Sequence, residues 1–264
     1  MTHPVWADGE AYEAYVGRWS RPVAAEFVRW LDVPPGRHWL DVGCGTGALT
    51  STVLAEADPA RVTGVDRSAG FVAHARTRVD DPRVAFEVGD ARELPLPDRA
   101  VDVVVSGLAL NFVPEPARAV AEFARLLRPA GVTAAYVWDY AEGMAFMRYF
   151  WDAAVELDRS AGELDEGCRF GVCQPDALRA VWSDAGLVAV SVRPVEVPTV
   201  FADFADYWTP FLGGQGAAPS YVTTLAEPDR VALRDLLAAR LPVEPDGSIR
   251  LTARAWAVRG AVAG

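Results

Sequence analysis

A strand-like run that leads into three alternate glycines constrains this chain more than any other feature. Residues 38–49 read HWLDVGCGTGAL, an apolar strand with Asp41 near its end, a glycine-rich turn and the start of a helix. The glycines are Gly43, Gly45 and Gly47. Glycine adopts backbone dihedrals that are closed to residues with a Cβ, and it lets the main chain approach a ligand closely. Because open α/β sheets bind ligands at the carboxyl ends of their strands, this segment predicts a ligand-binding turn.

The glycine spacing alone is compatible with more than one cofactor. Gly43, Gly45 and Ala48 satisfy the dinucleotide-binding pattern G-x-G-x-x-G/A. Asp66 follows at roughly the 20-residue distance at which dinucleotide-binding chains place an acidic ligand of the ribose. An NAD-dependent oxidoreductase is therefore one interpretation of this segment.

Two further carboxylates favour a different cofactor. Asp41 precedes the first glycine, where it can meet an ammonium group of a ligand directly or through water. Residues 88–91, Val-Gly-Asp-Ala, close a third predicted strand with Asp90, which is placed to accept a hydrogen bond from an adenine amino group. With Asp66, a carboxylate then stands at the end of each of three successive strands.

The pattern D-x-G-C-G-T-G at residues 41–47 resembles that of the class I S-adenosylmethionine-dependent methyltransferases that act on small molecules. The resemblance extends from about Trp39 to Tyr140. It implies S-adenosylmethionine as the cofactor and methyl transfer to a small-molecule acceptor by in-line displacement. A non-catalytic, cofactor-binding regulatory module remains an alternative, as does the oxidoreductase, although a chain without lysine has no Tyr/Lys catalytic pair.

The resemblance also implies a set of cofactor-binding residues. Asp41, Gly43 and Gly45 are implied to bind the methionine end of the cofactor, and Asp66 the ribose. Asp90 and Ala91 are implied to bind the adenine. Arg18, Trp19 and Arg21 in the N-terminal segment are candidates for contacting the cofactor carboxylate or, through the indole face, its sulfonium. Further predicted cofactor contacts are Cys44, Arg67, Ser106 and Leu108.

Methyl transfer from a sulfonium needs no protein nucleophile, because the cofactor carries an activated methyl group and leaves as a neutral thioether. The protein supplies alignment, and it supplies a general base only where the acceptor must lose a proton. Asn111, in the loop after the fourth strand where relatives frequently have a histidine, is predicted to orient the acceptor; the alternative is a bond to the local backbone. If a base is needed, Asp139 and Tyr140 are the candidates, against a turn-capping aspartate and a packed tyrosine.

Apolar runs that alternate with helical patterns predict βαβ units and a parallel sheet. The predicted strands are 38–42, 61–66, 84–88, 101–106, 132–138, 187–195 and 248–258. The predicted helices are 46–56, 68–79, 116–127, 144–159 and 175–185, with one more that follows Pro22 and ends at Leu31. Residues 128–131 are predicted as a turn, and Pro245-Asp246-Gly247 as the turn before an antiparallel last strand. The expected fold is a doubly wound, mostly parallel, seven-stranded α/β sheet of the Rossmann-like methyltransferase type with helical lid insertions.

We expect one methyltransferase domain over residues 1–264, with a cofactor-binding core at 36–140. Residues 1–33 and 200–241 are predicted to form the substrate lid. The second segment is rich in aromatic residues, for which ordinary core packing is the alternative. They include Phe204, Tyr207, Trp208, Phe211 and Tyr221.

Composition limits the class of partner. The chain has 264 residues and a net charge of −11, without a cluster of basic residues, which argues against nucleic acid and anionic membrane surfaces as partners. It shows neither a secretory signal nor an apolar run of about 20 residues, and its three cysteines suit a reducing cytoplasm. No zinc site is expected, since Cys168 and Cys173 have no histidine nearby. We therefore expect a cytoplasmic enzyme with a small-molecule substrate; the oligomeric state is left open.

Overall fold

The apolar runs of the sequence form seven strands within residues 17–213 and 216–264, the part of the chain that the computed structural model describes. In chain order they are β1 (His38–Val42), β2 (Arg61–Asp66), β3 (Val84–Val88), β4 (Val101–Gly107), β5 (Leu127–Trp138), β6 (Val188–Phe201) and β7 (Ile249–Ala261).

The helices that connect and follow these strands are α1 (Arg18–Leu31), α2 (Ala48–Glu56), α3 (Ala69–Arg78), α4 (Pro116–Leu126), α5 (Ala145–Leu157), α6 (Glu166–Arg169), α7 (Pro175–Asp184), α8 (Phe204–Trp208), α9 (Ala217–Thr224) and α10 (Glu227–Arg240). Five of the helices, α2, α3, α4, α5 and α7, begin and end within two residues of the predicted bounds, and no bounds were predicted for α6, α8, α9 and α10. Ser68 caps α3, because its hydroxyl accepts a hydrogen bond from the Phe71 amide at 3.3 Å. Pro116 is the first residue of α4, where its missing N–H has no helical partner to lose.

The strands lie in one sheet in the order β3-β2-β1-β4-β5-β7-β6. β1 pairs in parallel with β2 and β4, β2 with β3, and β4 with β5. β7 runs antiparallel to β5, since the Val262 amide donates to the Gly131 carbonyl and the Asp139 amide to the Arg254 carbonyl, each at 3.0 Å. The predicted Rossmann-like sheet with an antiparallel last strand is confirmed. Its order reverses between β1 and β4, and sheets of this kind bind ligands at such a switch point.

The described residues divide into two compact units. The sheet unit contains residues 20–137, 172–195 and 255–264, and the helical unit contains 17–19, 138–171 and the described residues of 196–254. The sheet unit holds β1 to β4 with α2, α3, α4 and α7. The helical unit holds α5, α6 and α8 to α10.

Three predicted boundaries are wrong by more than three residues. One is the end of β6, which continues to Phe201 instead of ending at Val195. The turn at 128–131 is part of β5, because the pairing with β4 passes from Val101–Leu127 directly to Val103–Val132 and leaves a bulge that contains Ala130 at φ +60°. Helix α1 begins at Arg18 instead of after Pro22, since the buried stripe of Phe27 and Val23 continues back to Ser20.

Four of the five aromatic residues named for the predicted lid are buried in the helical unit, and Phe204 is half-buried. Phe211 is fully buried and stacks on Phe150, with ring centroids 4.5 Å apart and an interplanar angle of 7°. Tyr207 is also fully buried, and its hydroxyl donates to the Phe146 carbonyl at 2.8 Å. Ordinary core packing is therefore the role that the structure gives these side chains. Among the described residues, no helix has the length and apolarity that crossing a membrane requires.

Candidate functional site

The turn after β1 depends on backbone conformations that favour glycine. Gly43, Gly45 and Gly47 have φ values of +75°, +52° and +87°. A Cβ on Gly43 would lie 2.4 Å from the Cβ of Ala109, in the loop that follows β4. The Gly43 amide donates to the Val65 carbonyl at 2.7 Å, which fastens the turn to β2. The glycines thus bring three strand ends of the sheet unit together.

Asp41 is a completely buried carboxylate in β1, directly before this turn. The Thr50 hydroxyl, from the first turn of α2, donates to Asp41 Oδ2 at 2.7 Å. Asp41 Oδ1 is buried and has no hydrogen-bond partner within the described chain. Burial raises the pKa of Asp41 from its ordinary 3.8 to about 7; the Thr50 hydrogen bond opposes this shift and the Asp66 charge adds to it. A buried acceptor without a donor is costly, so this atom calls for a ligand with N–H groups.

Asp66 ends β2, and both of its oxygens organise the neighbouring turns. Oδ2 accepts from the Gly45 amide at 3.0 Å, and Oδ1 accepts from the Ser68 amide at 2.8 Å. A carboxylate has further acceptor capacity, so these bonds leave room for a ligand hydroxyl. Arg67, the next residue, is exposed.

Asp90 forms a salt bridge within its own turn. Its carboxylate receives a two-pronged salt bridge from Arg92, at 2.7 Å to Nη2 and 3.0 Å to Nε, as well as the Arg92 amide at 2.9 Å. These hydrogen bonds hold the pKa of Asp90 well below its ordinary value. The predicted acceptor for an adenine amino group is thus engaged by the arginine two residues later, and Ala91 lies half-buried between the two.

The loop after β4 carries Ser106, Leu108 and Asn111. Ser106 is buried, and Leu108 adopts a left-handed φ of +56° while its amide donates to the Tyr136 carbonyl at 2.8 Å. Asn111 lies in a short 3-10 helix (Leu110–Phe112) and is 8% exposed. Neither its Oδ1 nor its Nδ2 has a hydrogen-bond partner within the described chain, so the alternative of a bond to the local backbone is not what the structure shows.

The Cys44 thiol is directed into the core. It packs in a cluster with Val72, Ala75 and Phe86, and burial raises its pKa well above the ordinary value. The Cys44 amide donates to the Val65 carbonyl at 3.1 Å. A thiol contribution to cofactor binding is therefore not supported.

Asp139 and Tyr140, the predicted base candidates, both belong to the helical unit and both have structural roles. Asp139 is 2% exposed, and its Oδ2 accepts from Arg254 Nε at 2.7 Å while Oδ1 accepts from the Glu142 amide at 3.1 Å. Tyr140 is buried with its ring 5.5 Å from that of Phe170. These contacts are those expected of the turn-capping aspartate and packed tyrosine that the sequence offered as alternatives, and the general-base role stays a prediction.

The N-terminal residues predicted to contact the cofactor differ in burial. Arg21 is exposed on α1. Trp19 is half-buried, with its ring 5.6 Å from Phe201 in an edge-on arrangement, and the guanidinium of Arg18 lies 4.5 Å from its centroid. Any predicted contact that falls on residues 1–16 lies outside the described chain.

The order of strands, the glycine turn and the buried acid at the end of β1 point to one family. Residues 40–135 match the family described as "Methyltransferase domain". Residues 40–135 of the chain therefore form an S-adenosylmethionine-dependent methyltransferase domain. This confirms the family suggested by D-x-G-C-G-T-G and S-adenosylmethionine as the cofactor of that family.

Relatives of this methyltransferase domain share its central part. The arsenite methyltransferase of Halobacterium salinarum is 32% identical over 171 residues, 63% of this chain and 41% of that protein. A probable S-adenosylmethionine-dependent methyltransferase of Mycolicibacterium smegmatis is 40% identical over 125 residues, 47% of this chain and 46% of that protein. The chain thus spans less than half the length of these curated relatives.

The fold of the methyltransferase domain also occurs in solved structures. The Haemonchus contortus phosphoethanolamine N-methyltransferase 2, solved with phosphomonomethylethanolamine and S-adenosylhomocysteine, has a TM-score of 0.63 at 17% identity. The match covers 99% of this chain and 59% of that one. At this identity the likeness concerns the fold.

The cofactor of the methyltransferase family fits the residues present. The unpartnered Asp41 Oδ1 suits the ammonium group of its methionine end, and the turn leaves a surface without side chains at Gly45, where a Cβ would meet no atom within 4 Å. Sequence reasoning missed Thr50, which holds the second Asp41 oxygen, and Ala109, which fixes the size limit at Gly43. Both are small residues in helix and loop positions that carry no motif of their own.

Proposed function

We propose that this chain is a cytoplasmic enzyme that transfers the methyl group of S-adenosylmethionine to a small-molecule acceptor by in-line displacement. The observation that carries the proposal is Asp41, a fully buried carboxylate beside a glycine turn that permits close approach. One of its oxygens has no donor among the described residues. A cation that carries N–H groups meets both needs of this atom, because it supplies the missing donors and compensates the charge.

In this proposal, residues of the sheet unit bind different parts of the cofactor. When bound, S-adenosylmethionine supplies a methyl group activated on a sulfonium and departs as a neutral thioether. Asp41 binds the ammonium group through Oδ1, while Thr50 keeps the carboxylate in position through Oδ2. Asp66 holds the Gly45 and Ser68 amides and offers its remaining lone pairs to the ribose hydroxyls. Asp90 contributes less, because Arg92 already satisfies it.

Asn111 is the proposed contact for the acceptor. Its buried amide has no hydrogen-bond partner in the described part of the chain, so a ligand with complementary groups would satisfy both amide atoms at once. An amide cannot remove a proton at neutral pH, and we propose that catalysis rests on positioning. Such alignment accounts for up to roughly 7–11 kcal/mol of barrier reduction in well-oriented reactions.

We propose a small molecule as the only class of substrate, with no nucleic acid or membrane partner. The net charge of −11 supports this, because a phosphate backbone or an anionic lipid surface requires a basic face. In this proposal the chain is a single methyltransferase domain, residues 36–140 bind the cofactor, and residues 1–33 and 200–241 contribute to acceptor binding. The chemistry of the acceptor differs widely among relatives, which include an arsenite methyltransferase and a trans-aconitate 2-methyltransferase.

The test is a pair of binding titrations with the full chain. We expect S-adenosylhomocysteine to bind and to raise the melting temperature, since a ligand of the folded state stabilises it by mass action. NAD should do neither. A small-molecule library screened for release of S-adenosylhomocysteine then separates an enzyme from a regulatory binding module. Tighter binding of NAD than of S-adenosylhomocysteine would overturn the proposal.

A further inference from the structure

The first residue of α1 is an arginine with one hydrogen-bonding edge buried and unused. Arg18 Nη1 donates to Asp206 Oδ1 at 2.9 Å, within the helical unit. Its Nε and Nη2 atoms are buried, and neither has a hydrogen-bond partner within residues 17–213 and 216–264. In a guanidinium group these two N–H bonds lie on the same side and point in parallel. This is the edge that a carboxylate binds with two hydrogen bonds.

Other contacts already fix the position of this edge. The guanidinium carbon lies 4.5 Å from the ring centroid of Trp19 and 4.6 Å from that of Phe201, which is fully buried. Asp206 is held in turn, because its second oxygen accepts from the Ala202 amide at 3.0 Å. Two rings and a carboxylate therefore orient the arginine without using Nε or Nη2. A ligand at this edge would cost little side-chain entropy, because Arg18 is already ordered.

The unpaired atoms of this cluster are all donors. Besides the two Arg18 atoms, the indole Nε1 of Trp19 is buried and has no hydrogen-bond partner among the residues that the structure describes. Buried N–H groups without acceptors are rare and lower the stability of a fold. Since arginine and tryptophan side chains have no acceptor, the missing partner must present oxygen atoms with lone pairs. Arg18 supplies one positive charge, and Asp206 already faces it, which favours a monoanion such as a carboxylate over a phosphate dianion.

We propose that the Nε/Nη2 edge of Arg18 binds a carboxylate group carried by the methyl acceptor, which assigns the acceptor to the carboxylic acids. This inference rests on the proposed methyltransferase function. It gives Arg18 a role in acceptor binding, whereas the residues proposed to bind the cofactor lie in the sheet unit. The partners that position Arg18, Phe201 and Asp206, belong to the 200–241 segment for which we propose acceptor binding.

A matched pair of small probes tests the site in the full-length protein without cofactor. Phenylacetate carries a carboxylate and an aromatic ring, and phenylacetamide is its neutral counterpart. Spectra of protein labelled with ¹⁵N at the tryptophan indoles, with the Trp19 signal assigned from Trp19→Phe, report binding directly. We expect phenylacetate to shift the Trp19 indole resonance in a saturable manner, and phenylacetamide to shift it little or not at all.

Two arginine variants of α1 serve as test and control. Arg18→Lys keeps a cation for Asp206 but lacks the two-pronged edge, so phenylacetate affinity should fall about 10-fold or more. Arg29→Gln, at an exposed position of the same helix, should leave the affinity unchanged. Equal binding of acid and amide, an undiminished affinity in Arg18→Lys, or tighter binding of inorganic phosphate than of phenylacetate would overturn the inference.

The cofactor carboxylate is the competing source, and a separate titration distinguishes it. If Arg18→Lys weakens S-adenosylhomocysteine by the same factor as phenylacetate, the edge belongs to the cofactor and the acceptor assignment is wrong. We expect S-adenosylhomocysteine affinity to change less than twofold. A wild-type protein that binds no S-adenosylhomocysteine would refute the proposed function. The comparison of phenylacetate with phenylacetamide still measures carboxylate binding at Arg18 in that case.

Discussion

Asp139 and Arg254 form an ion pair, 2.6 Å between Oδ2 and Nη2, that joins the residue after β5 to β7. The aspartate side chain is 2% exposed, and the arginine side chain is 25% exposed. The same carboxylate accepts from the Glu142 amide, and the Asp139 carbonyl accepts from the amides of Gly143 and Met144. Asp139 thus stabilises the helical unit through these contacts.

Replacing this aspartate should therefore affect stability more than chemistry. Asp139→Asn removes the buried charge that pairs with Arg254 and should lower the free energy of unfolding by about 3 kcal/mol. Urea denaturation measures this effect. Arg250→Gln is the control, because Arg250 lies on the same strand as Arg254 and makes only an exposed 3.8 Å pair with Asp246 in the preceding turn. Turnover per folded molecule should change less than tenfold. A loss of about 10²-fold at unchanged stability would restore the general-base role.

The buried carboxylate of Asp41 should destabilise the empty protein above neutral pH. Its pKa is about 7 in the folded chain against an ordinary 3.8, chiefly because of burial. Since the folded pKa is the higher one, the cost is absent below about pH 4, grows as the pH rises to 7 and is complete above it. Asp41→Asn should raise the unfolding free energy by up to about 4 kcal/mol at pH 8 and by little at pH 4. Denaturation at both pH values checks this sign.

The same substitution should abolish the pH dependence of cofactor binding. In the wild type, protonation of Asp41 competes with an ammonium group, so S-adenosylhomocysteine affinity should fall as the pH drops from 8 to 6. Asp41→Asn should bind weakly at both values, and Asp152→Asn, an exposed aspartate on α5, should behave as the wild type. Calorimetric titrations give the affinities. A steep pH profile that persists in Asp41→Asn would show that another group controls binding.

Asn111 should matter for turnover and not for folding. Both amide atoms are buried and unpartnered, so Asn111→Ala removes two unsatisfied groups and should leave the melting temperature equal or higher. Turnover with an acceptor found by screening should fall, while S-adenosylhomocysteine affinity stays nearly constant. His74→Ala, at an exposed position of α3, is the control and should leave both unchanged. A marked loss of stability in Asn111→Ala would assign the amide to the fold.

Three substitutions around the turn should weaken cofactor binding in a fixed order. Gly45→Val should be the most damaging, because φ is +52° there and a β-branched residue resists that conformation even though the Cβ meets open space. Asp66→Ala should follow, since it releases the Gly45 and Ser68 amides and loses charged hydrogen bonds of roughly 1.5–3 kcal/mol each. Asp90→Ala should be mildest. Calorimetry with S-adenosylhomocysteine ranks them, and an unchanged affinity in Asp66→Ala would contradict the ribose assignment.

Phe211 should behave as a core residue. Phe211→Ala empties a position that stacks on Phe150, and the free energy of unfolding should drop by about 3–5 kcal/mol. Leu212→Ala is the neighbouring control, because Leu212 is 47% exposed and its truncation should cost about 0.5 kcal/mol or less. If Phe211→Ala folds as stably as the wild type but loses acceptor use, the side chain contacts substrate after all.

The parts of the fold that follow from local sequence were predictable. β1, β2 and β3 have the predicted limits because each is an apolar run between turn residues. β5 was predicted too short, since Pro129 to Gly131 reads as a turn and becomes a bulge only through pairing with β4. The positions of Asp41 and Asp66 followed from the shared edge of parallel strands.

The hydrogen-bond partners of those carboxylates did not follow from the sequence. Arg92 is two residues from Asp90, yet nothing in the local sequence decides whether the two side chains form a salt bridge with each other or bind a ligand. Arg254 is 115 positions from Asp139, and only the antiparallel return of β7 brings the two together. The free edge of Arg18 is equally invisible in sequence, because it depends on which of its nitrogen atoms Asp206 takes.

The tight approach of Gly43 to Ala109 makes two distant positions interdependent in evolution. A methyl group on residue 43 would overlap the one on residue 109 at 2.4 Å, so residue 43 can gain a side chain only if residue 109 loses its own or its loop moves. Substitution of residue 43 is thus conditional on residue 109. A joint change would move the loop that carries Asn111 and, under the proposed function, would alter acceptor selectivity.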